Sequence, residues 1–436
     1  MGILQLPDSF VNLLKIFYPV FHAPCQIYFA SVIQGLLLYP RRKAITKAYI
    51  LSHITSHWSN LHRFVSQYKW QVSELALTLL SLLVDRLQID GRLLFALDDT
   101  LVAKTGPKIF GRSCHFDHSA KTNKPKYILG HNWVVVGLLY YSPLFMKWIC
   151  FPFWATLYIT KKYLPEGIEF KTKLELAVEM LSAIAQKLRK SILIVTDAAY
   201  AKEKLVKWVA AHPWVNMISR LRHDAALYEP AVQPSKRKRG KPRKYGTKIT
   251  DVTKGQFETA TLSLYQNKNP KKIKYRSFTA FWKPAGALVQ IVVVLWPGKK
   301  TPCLFLCTDL ALSAQDILRY VAARWKIEVC FNYLKDHGGL TDWQCRTRTS
   351  VTRSATLNCV ALSLLSLWSL SEASQSQPEL WDPLPWYVQK EYVSYNDMIQ
   401  QLKAKAIHKT IIASLPPKTI KRINIQALAN ALKMAA

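Results

Sequence analysis

The stretch RLLFALDDT, residues 92–100, is a short apolar run that stops on two acids and a threonine. Such a run forms a central strand, covered on both faces, that delivers polar side chains where it leaves the sheet. Asp98 and Asp99 stand at that end. A strand buried on both faces has no polar side, so alternation does not choose between them. Further on, SILIVTDAAY (191–200) repeats the pattern and stops on Asp197. Between the two, residues 133–141 and 145–156, parted by Ser142 and Pro143, read as a strand pair, and 171–190 as an amphipathic helix. Residues 202–211 are helical again. Three strands, a helix, a strand and a helix make a mixed α/β sheet whose site lies at the strand termini.

Outward from this centre the character changes. Residues 1–90 show helical periodicity with basic and aromatic residues interleaved (Arg42, Lys43, His62, Arg63, Tyr68, Trp70), as a DNA-contacting helical domain or a solvated basic face would. Residues 91–220 form the first part of the α/β core. In 221–300, a basic arm comes first: SKRKRGKPRKYGTK (235–248) has seven cations in the nine positions 236–244 and nothing to bury. Strands follow at 257–265, 274–282 and 287–296, bounded by NPKK, KPAG and PGKK turns. Residues 301–372 complete the core with a short strand, a long helix and a very apolar helix at 355–371. A helical C-terminal region, 373–436, closes the chain.

The long helix lies in SAQDILRYVAARWKIEVCFNYLKDHGG (313–339), bounded by a capping-box pattern at Ser313 and Asp316 and by Gly338 and Gly339. At 100° per residue Arg324, Glu328 and Lys335 fall within about 60° of one another. An apolar stripe of Leu318, Ala322, Trp325 and Val329 runs beside them. An acid placed between cations on a partly apolar helix fits a metal or phosphate site, although a lone helical Glu is ordinarily solvated.

The chain of 436 residues is half hydrophobic and carries 60 Lys and Arg against 27 Asp and Glu, a formal charge of +33. That excludes a largely disordered chain and favours a polyanionic partner, nucleic acid ahead of an anionic membrane. The eight cysteines are dispersed without a C-x-x-C pair, as in a reduced cytosolic protein. No export signal is evident. The apolar stretches 133–159 and 355–370 read as buried strands and a buried helix: three residues (Pro143, Lys147, Pro152) interrupt the first, and the second is shorter than the roughly 20 residues a span needs. Cys114, His115, Asp117, His118 and His131 are zinc-binding types but lack a second spaced pair.

Three acids, Asp98 or Asp99, Asp197 and Glu328, thus end two buried strands and mark one helix face. Packed together they repel one another unless divalent cations lie between them, and with Mg²⁺ they form a two-metal site for in-line attack on phosphate.

Arg324-x₃-Glu328-x₆-Lys335 resembles the Tyr, Arg, Glu, Lys signature of DDE transposases of bacterial insertion sequences, the cut-and-paste branch with an RNase H-like core. LDDT resembles its first-acid motif, which matches the catalytic acid to Asp99. VTDAAY resembles its second, at Asp197. The 130 residues from 198 to 327 match the place where this branch inserts a β-domain. The signature's Tyr position falls at Val321, and Tyr320 lies about 100° round the helix. The resemblance covers roughly residues 90–370. It implies an RNase H-like mixed sheet with a β-rich insertion, and Asp99, Asp197 and Glu328 as catalytic residues holding Mg²⁺, with Mn²⁺ as a substitute. Arg324 and Lys335 become clamps on DNA phosphates, with Lys236, Arg237, Lys238 and Arg239 as further DNA contacts and Trp282 or Trp296 as a stacking platform for a flipped base. The implied partners are double-stranded DNA, both transposon ends and target DNA, with a homodimer on paired ends in the bacterial cytosol or nucleoid and no membrane. The competing readings are an RNase H-like metal-dependent nuclease without strand transfer, an inactive DNA-binding regulator, and a membrane-associated basic protein.

Overall fold

In this computed structural model residues 4–415 are described, apart from 41, 53, 118–119, 121, 124, 232–242, 263–269, 299–300 and 376–392. Five helices open the chain: α1 (Asp8–Lys15), α2 (Ala23–Leu38), α3 (Ile45–Leu51), α4 (Ser59–Ser66) and α5 (Val72–Arg86). Then come β1 (Leu93–Ala103), β2 (Ser113–Phe116), β3 (Tyr127–Ser142), β4 (Lys147–Tyr158), α6 (Lys173–Leu188), β5 (Ile192–Thr196), α7 (Glu203–Ala210) and β6 (Val215–Leu221). The remaining strands are β7 (Leu227–Tyr228), β8 (Glu258–Leu262), β9 (Lys271–Trp282), β10 (Ala287–Leu295) and β11 (Cys303–Cys307). Three helices follow, α8 (Ala314–Asp336), α9 (Arg348–Gln375) and α10 (Tyr395–Ser414).

The RNase H-like mixed sheet is present. β1 and β5 are parallel, as are β5 and β6, while β3 and β4 run antiparallel on the other side of β1. Leu93–Leu97 and all of β5 are buried, which is why both read as unbroken apolar runs. The strands of 258–295 do not form a separate sheet. β11 pairs with β6 and β10 pairs with β11, so one eleven-stranded sheet runs β2-β3-β1-β5-β6-β11-β10-β9-β7, with β4 on β3 and β8 on β9.

Helices cover both faces. α6 lies against β3 and β4 on one side, while α8 crosses β4, β1 and β5 on the other and α9 lies on β4. α9 has no polar side because it is enclosed by the sheet and the first helices. Its stretch Arg348–Ser374 is long and apolar enough to cross a membrane, yet 94% of its most apolar window is buried inside the protein. The buried Arg353 ties α9 to the helices of the first ninety residues. It donates to the carbonyls of Phe64 (3.2 Å), Val65 (3.2 Å), Tyr68 (2.8 Å) and Trp70 (2.6 Å), and its guanidinium lies 4.1 Å from the Trp70 ring centre. All eight cysteines are free thiols.

Candidate active site

Sheet register separates the two neighbouring aspartates. Asp99 pairs with Val134, which pairs with Thr156, and the Thr156 hydroxyl meets Met180 of α6. Directly paired residues point to the same face, so Asp99 faces α6. There its carboxylate binds Lys173 (2.6 Å) and accepts a hydrogen bond from the buried Tyr200 hydroxyl (3.1 Å). Asp98 therefore faces α8. It follows the Leu97–Thr196 pair by one step, as Asp197 does on β5, so the two acids lie side by side beyond the last paired rung. Asp98 is ion-paired with Arg324 of α8, and Arg324 also donates to Glu328 at 2.9 Å. Of the two aspartates, the structure thus sets Asp98 beside Asp197 and Glu328, and Asp99 on the α6 face.

The electrostatics follow from this crowding. Burial pushes the Asp98 carboxyl up to about 7; Arg324 opposes the shift, and Asp197 adds to it. Glu328 is likewise raised by burial and by Asp197, against the pull of Arg324. Among the described residues no three His, Cys, Asp or Glu side chains converge closely enough to hold a metal ion as they stand. The Arg324 guanidinium lies between Asp98 and Glu328 and supplies the positive charge there. An all-oxygen donor set that already requires a cation fits a hard divalent ion.

Asp197, Arg324 and Glu328 line one cavity of about 810 Å³ between the ends of β5 and β6 and the strands β9 to β11. Arg220, Lys272, Trp296 and Trp325 line it too. So does Thr196, whose buried hydroxyl has no hydrogen-bond partner. α8 begins at the expected Ser313, whose hydroxyl accepts from the Asp316 amide at 3.1 Å, but the expected capping box is only half formed, since the Asp316 carboxylate accepts from the Ser313 hydroxyl (2.7 Å) and not from its backbone N–H. It buries Leu318 and Ala322, but Trp325 is 48% and Val329 36% exposed, so the expected apolar stripe divides. Its lower half faces solvent because the buried surface shifts to Ile327, Cys330, Phe331 and Leu334.

The other expected DNA contacts fare differently. Trp296 reaches the cavity, while Trp282 is 4% exposed in the core of the β-rich half, paired with Leu227 and Ala287, and offers no face for stacking. Lys335 does not line the cavity; burial lowers its ammonium and nearby Asp117 opposes that shift. Lys236, Arg237, Lys238 and Arg239 lie outside the described residues. Val321 takes the signature's Tyr position at the cavity wall, and Tyr320 turns away to meet Trp148 edge-on. Of the zinc-type residues, His115 bonds Ser113 and His131 bonds the Phe110 carbonyl. Arg220, Lys272 and Trp325 carry no local signal in the sequence, because each owes its place to long-range strand and helix packing.

The profile of the DDE superfamily endonucleases matches residues 17–276, more than half of the chain and including Asp98 and Asp197. The chain belongs to the DDE superfamily endonucleases. Members of this family are DNA-cutting enzymes that generally use divalent metal ions. The match to the DDE endonucleases stops before Glu328, so the third acid rests on the α8 geometry. No curated protein matches the sequence.

Proposed function

We propose that the protein is a transposase of the bacterial insertion-sequence branch, which cuts DNA at the ends of its element and joins the freed 3′-hydroxyl to target DNA. The supporting observation is the position of Arg324 between Asp98 and Glu328, on the wall of a cavity shared with Asp197. In this reading Asp98, Asp197 and Glu328 would hold Mg²⁺, or Mn²⁺ in its place. The chemistry such an ion would supply is activation of a water or of the DNA 3′-hydroxyl and stabilisation of the leaving oxygen.

The chain's own residues do the positioning. Arg324 clamps a backbone phosphate beside the acids. Arg220 and Lys272 hold the strand along the opposite wall, and Trp296 or the exposed Trp325 stacks on a base unpaired at the cut. Lys335, two turns beyond Glu328, meets the backbone farther along, with Lys236, Arg237, Lys238 and Arg239 as further contacts. Val321 brings no hydroxyl, so a phosphate contact made elsewhere in the branch by Tyr is absent here. Asp99 holds β1 to α6 through Lys173 and to the segment between β5 and α7 through Tyr200. The helical first ninety residues contact DNA, the β-rich segment 221–300 serves as the insertion, and a homodimer on paired ends works in the bacterial cytosol or nucleoid.

The test is a Mg²⁺-dependent cleavage assay on DNA carrying the flanking ends of the chain's own gene. Asp98→Asn and Glu328→Gln should abolish cleavage and Asp99→Asn should retain it. The reverse outcome for the two aspartates would remove the assignment. Strand-transfer products from a pre-cut end separate a transposase from a nuclease that cuts without joining.

A further inference from the structure

A second cavity, of about 560 Å³, opens where β1 ends, and Arg42, Lys104, Lys108 and Arg346 line it with no acid among them. These cations come from three parts of the chain: the turn before α3, the β1–β2 loop and the segment after α8. Hydrogen bonds hold the walls together, since Phe110 N–H donates to the Arg346 carbonyl (3.0 Å) and Lys43 N–H to the Asp342 carboxylate (2.8 Å). Arg42, Lys108 and Arg346 are exposed and make no ion pair among the described residues.

Lys104 differs from the other three. It is buried, and its ammonium donates to the carbonyls of Leu340 (3.0 Å), Thr341 (3.0 Å) and Trp343 (3.1 Å) just beyond the C-terminal end of α8. Those carbonyls and the negative end of the helix dipole would otherwise repel an anion. With Lys104 covering them, the exposed cations face a floor without uncompensated negative charge. An adjoining cavity continues the surface past Thr46, His62 and Ser66, and its one acid, Asp342, is the acceptor for Lys43 N–H.

We propose that this cleft holds the sugar-phosphate backbone of duplex DNA, away from the scissile phosphate. This rests on the DNA-cleaving reading above and adds a position to it. Six residues of extended chain separate Asp98 from Lys104, about 20 Å at ~3.4 Å per residue. With the duplex axis laid along β1 and a rise of ~3.4 Å per nucleotide along that axis, the cleft meets phosphates about six nucleotides from the cut.

The experiment measures binding of a labelled 24-base-pair duplex with one 3′-hydroxyl end by fluorescence anisotropy, without divalent ions, over a range of KCl concentrations. The full chain is compared with the triple variant Arg42→Ala, Lys108→Ala, Arg346→Ala. Each lost phosphate contact lowers the slope of log K against log[salt] by about 0.9, so the triple variant should lose about 2 to 3 units of slope. The charge-conserving set Arg42→Lys, Lys108→Arg, Arg346→Lys should keep the slope, which distinguishes lost charge from misfolding. An unchanged slope in the alanine variant overturns the cleft while leaving the reading of the active site intact. Absence of duplex binding by the full chain overturns both.

Discussion

Removing Arg324 tests the arrangement of the acids most directly. Its side chain is 16% exposed, and its partners Asp98 and Glu328 are 14% and 31% exposed, so the three groups are screened only in part. Breaking a buried ion pair costs about 3–5 kcal/mol when the remaining charge cannot escape. Partial exposure of Glu328, and the readiness of Asp98 to take a proton near 7, place Arg324→Ala at the lower end, about 3 kcal/mol in metal-free buffer at pH 8. An unfolding entropy of about 2.1 cal/mol/K per residue makes that a fall of roughly 3 °C in Tm for a chain of this length. A divalent ion among the same carboxylates would replace the missing charge, so saturating Mg²⁺ should remove most of the loss. By linkage the variant should then bind Mn²⁺ more tightly, by up to about 100-fold for the same 3 kcal/mol. Thermal unfolding with and without Mg²⁺, and Mn²⁺ titration calorimetry, measure both effects. An equal Tm loss in either buffer, with unchanged Mn²⁺ affinity, would refute the idea that Arg324 stands where the cation belongs.

Three further outcomes follow from contacts away from Arg324. Asp99→Asn should lower stability by about 1–2 kcal/mol in urea unfolding through loss of the part-buried Lys173 bridge, and an unchanged midpoint would mean that the bridge does not hold α6 to β1. Arg353→Leu should cost about 3 kcal/mol, because the carbonyls of Val65, Tyr68 and Trp70 lose this donor while that of Phe64 keeps the Trp70 indole N–H at 2.8 Å, and hydrogen exchange should rise at the end of α4 before it rises in the sheet. His131 is held down to about 4 by burial, although its bond to the Phe110 carbonyl opposes this, against about 6.5 when unfolded. Its neutral form is the native one, so the stability it contributes is complete above pH 6.5 and is lost as pH falls toward 4. His131→Asn should flatten the acid-side decline in Tm over that window, and an unchanged slope would contradict this account.

Local pattern carried much of this protein into view. The buried strands β1 and β5, the capped start of α8, the enclosed apolar α9 and the carboxylates at the strand ends were all legible, because each depends on neighbours in sequence: an unbroken apolar run, a capping serine, an acid where a strand leaves the sheet. The eleven-stranded sheet was not legible, since the pairing of β11 with β6 joins segments whose apolar faces would fit several partners. The choice between Asp98 and Asp99 was hidden for the same reason. A strand covered on both faces presents no polar side, and only the register with Val134, Thr156 and α6 shows which acid faces which helix. Trp282 and Trp296 have similar surroundings in sequence, yet one closes a core and the other lines a cavity. Short-range free energies select the elements, and the face each side chain presents is set by which distant element covers it, a choice made only when the whole sheet assembles.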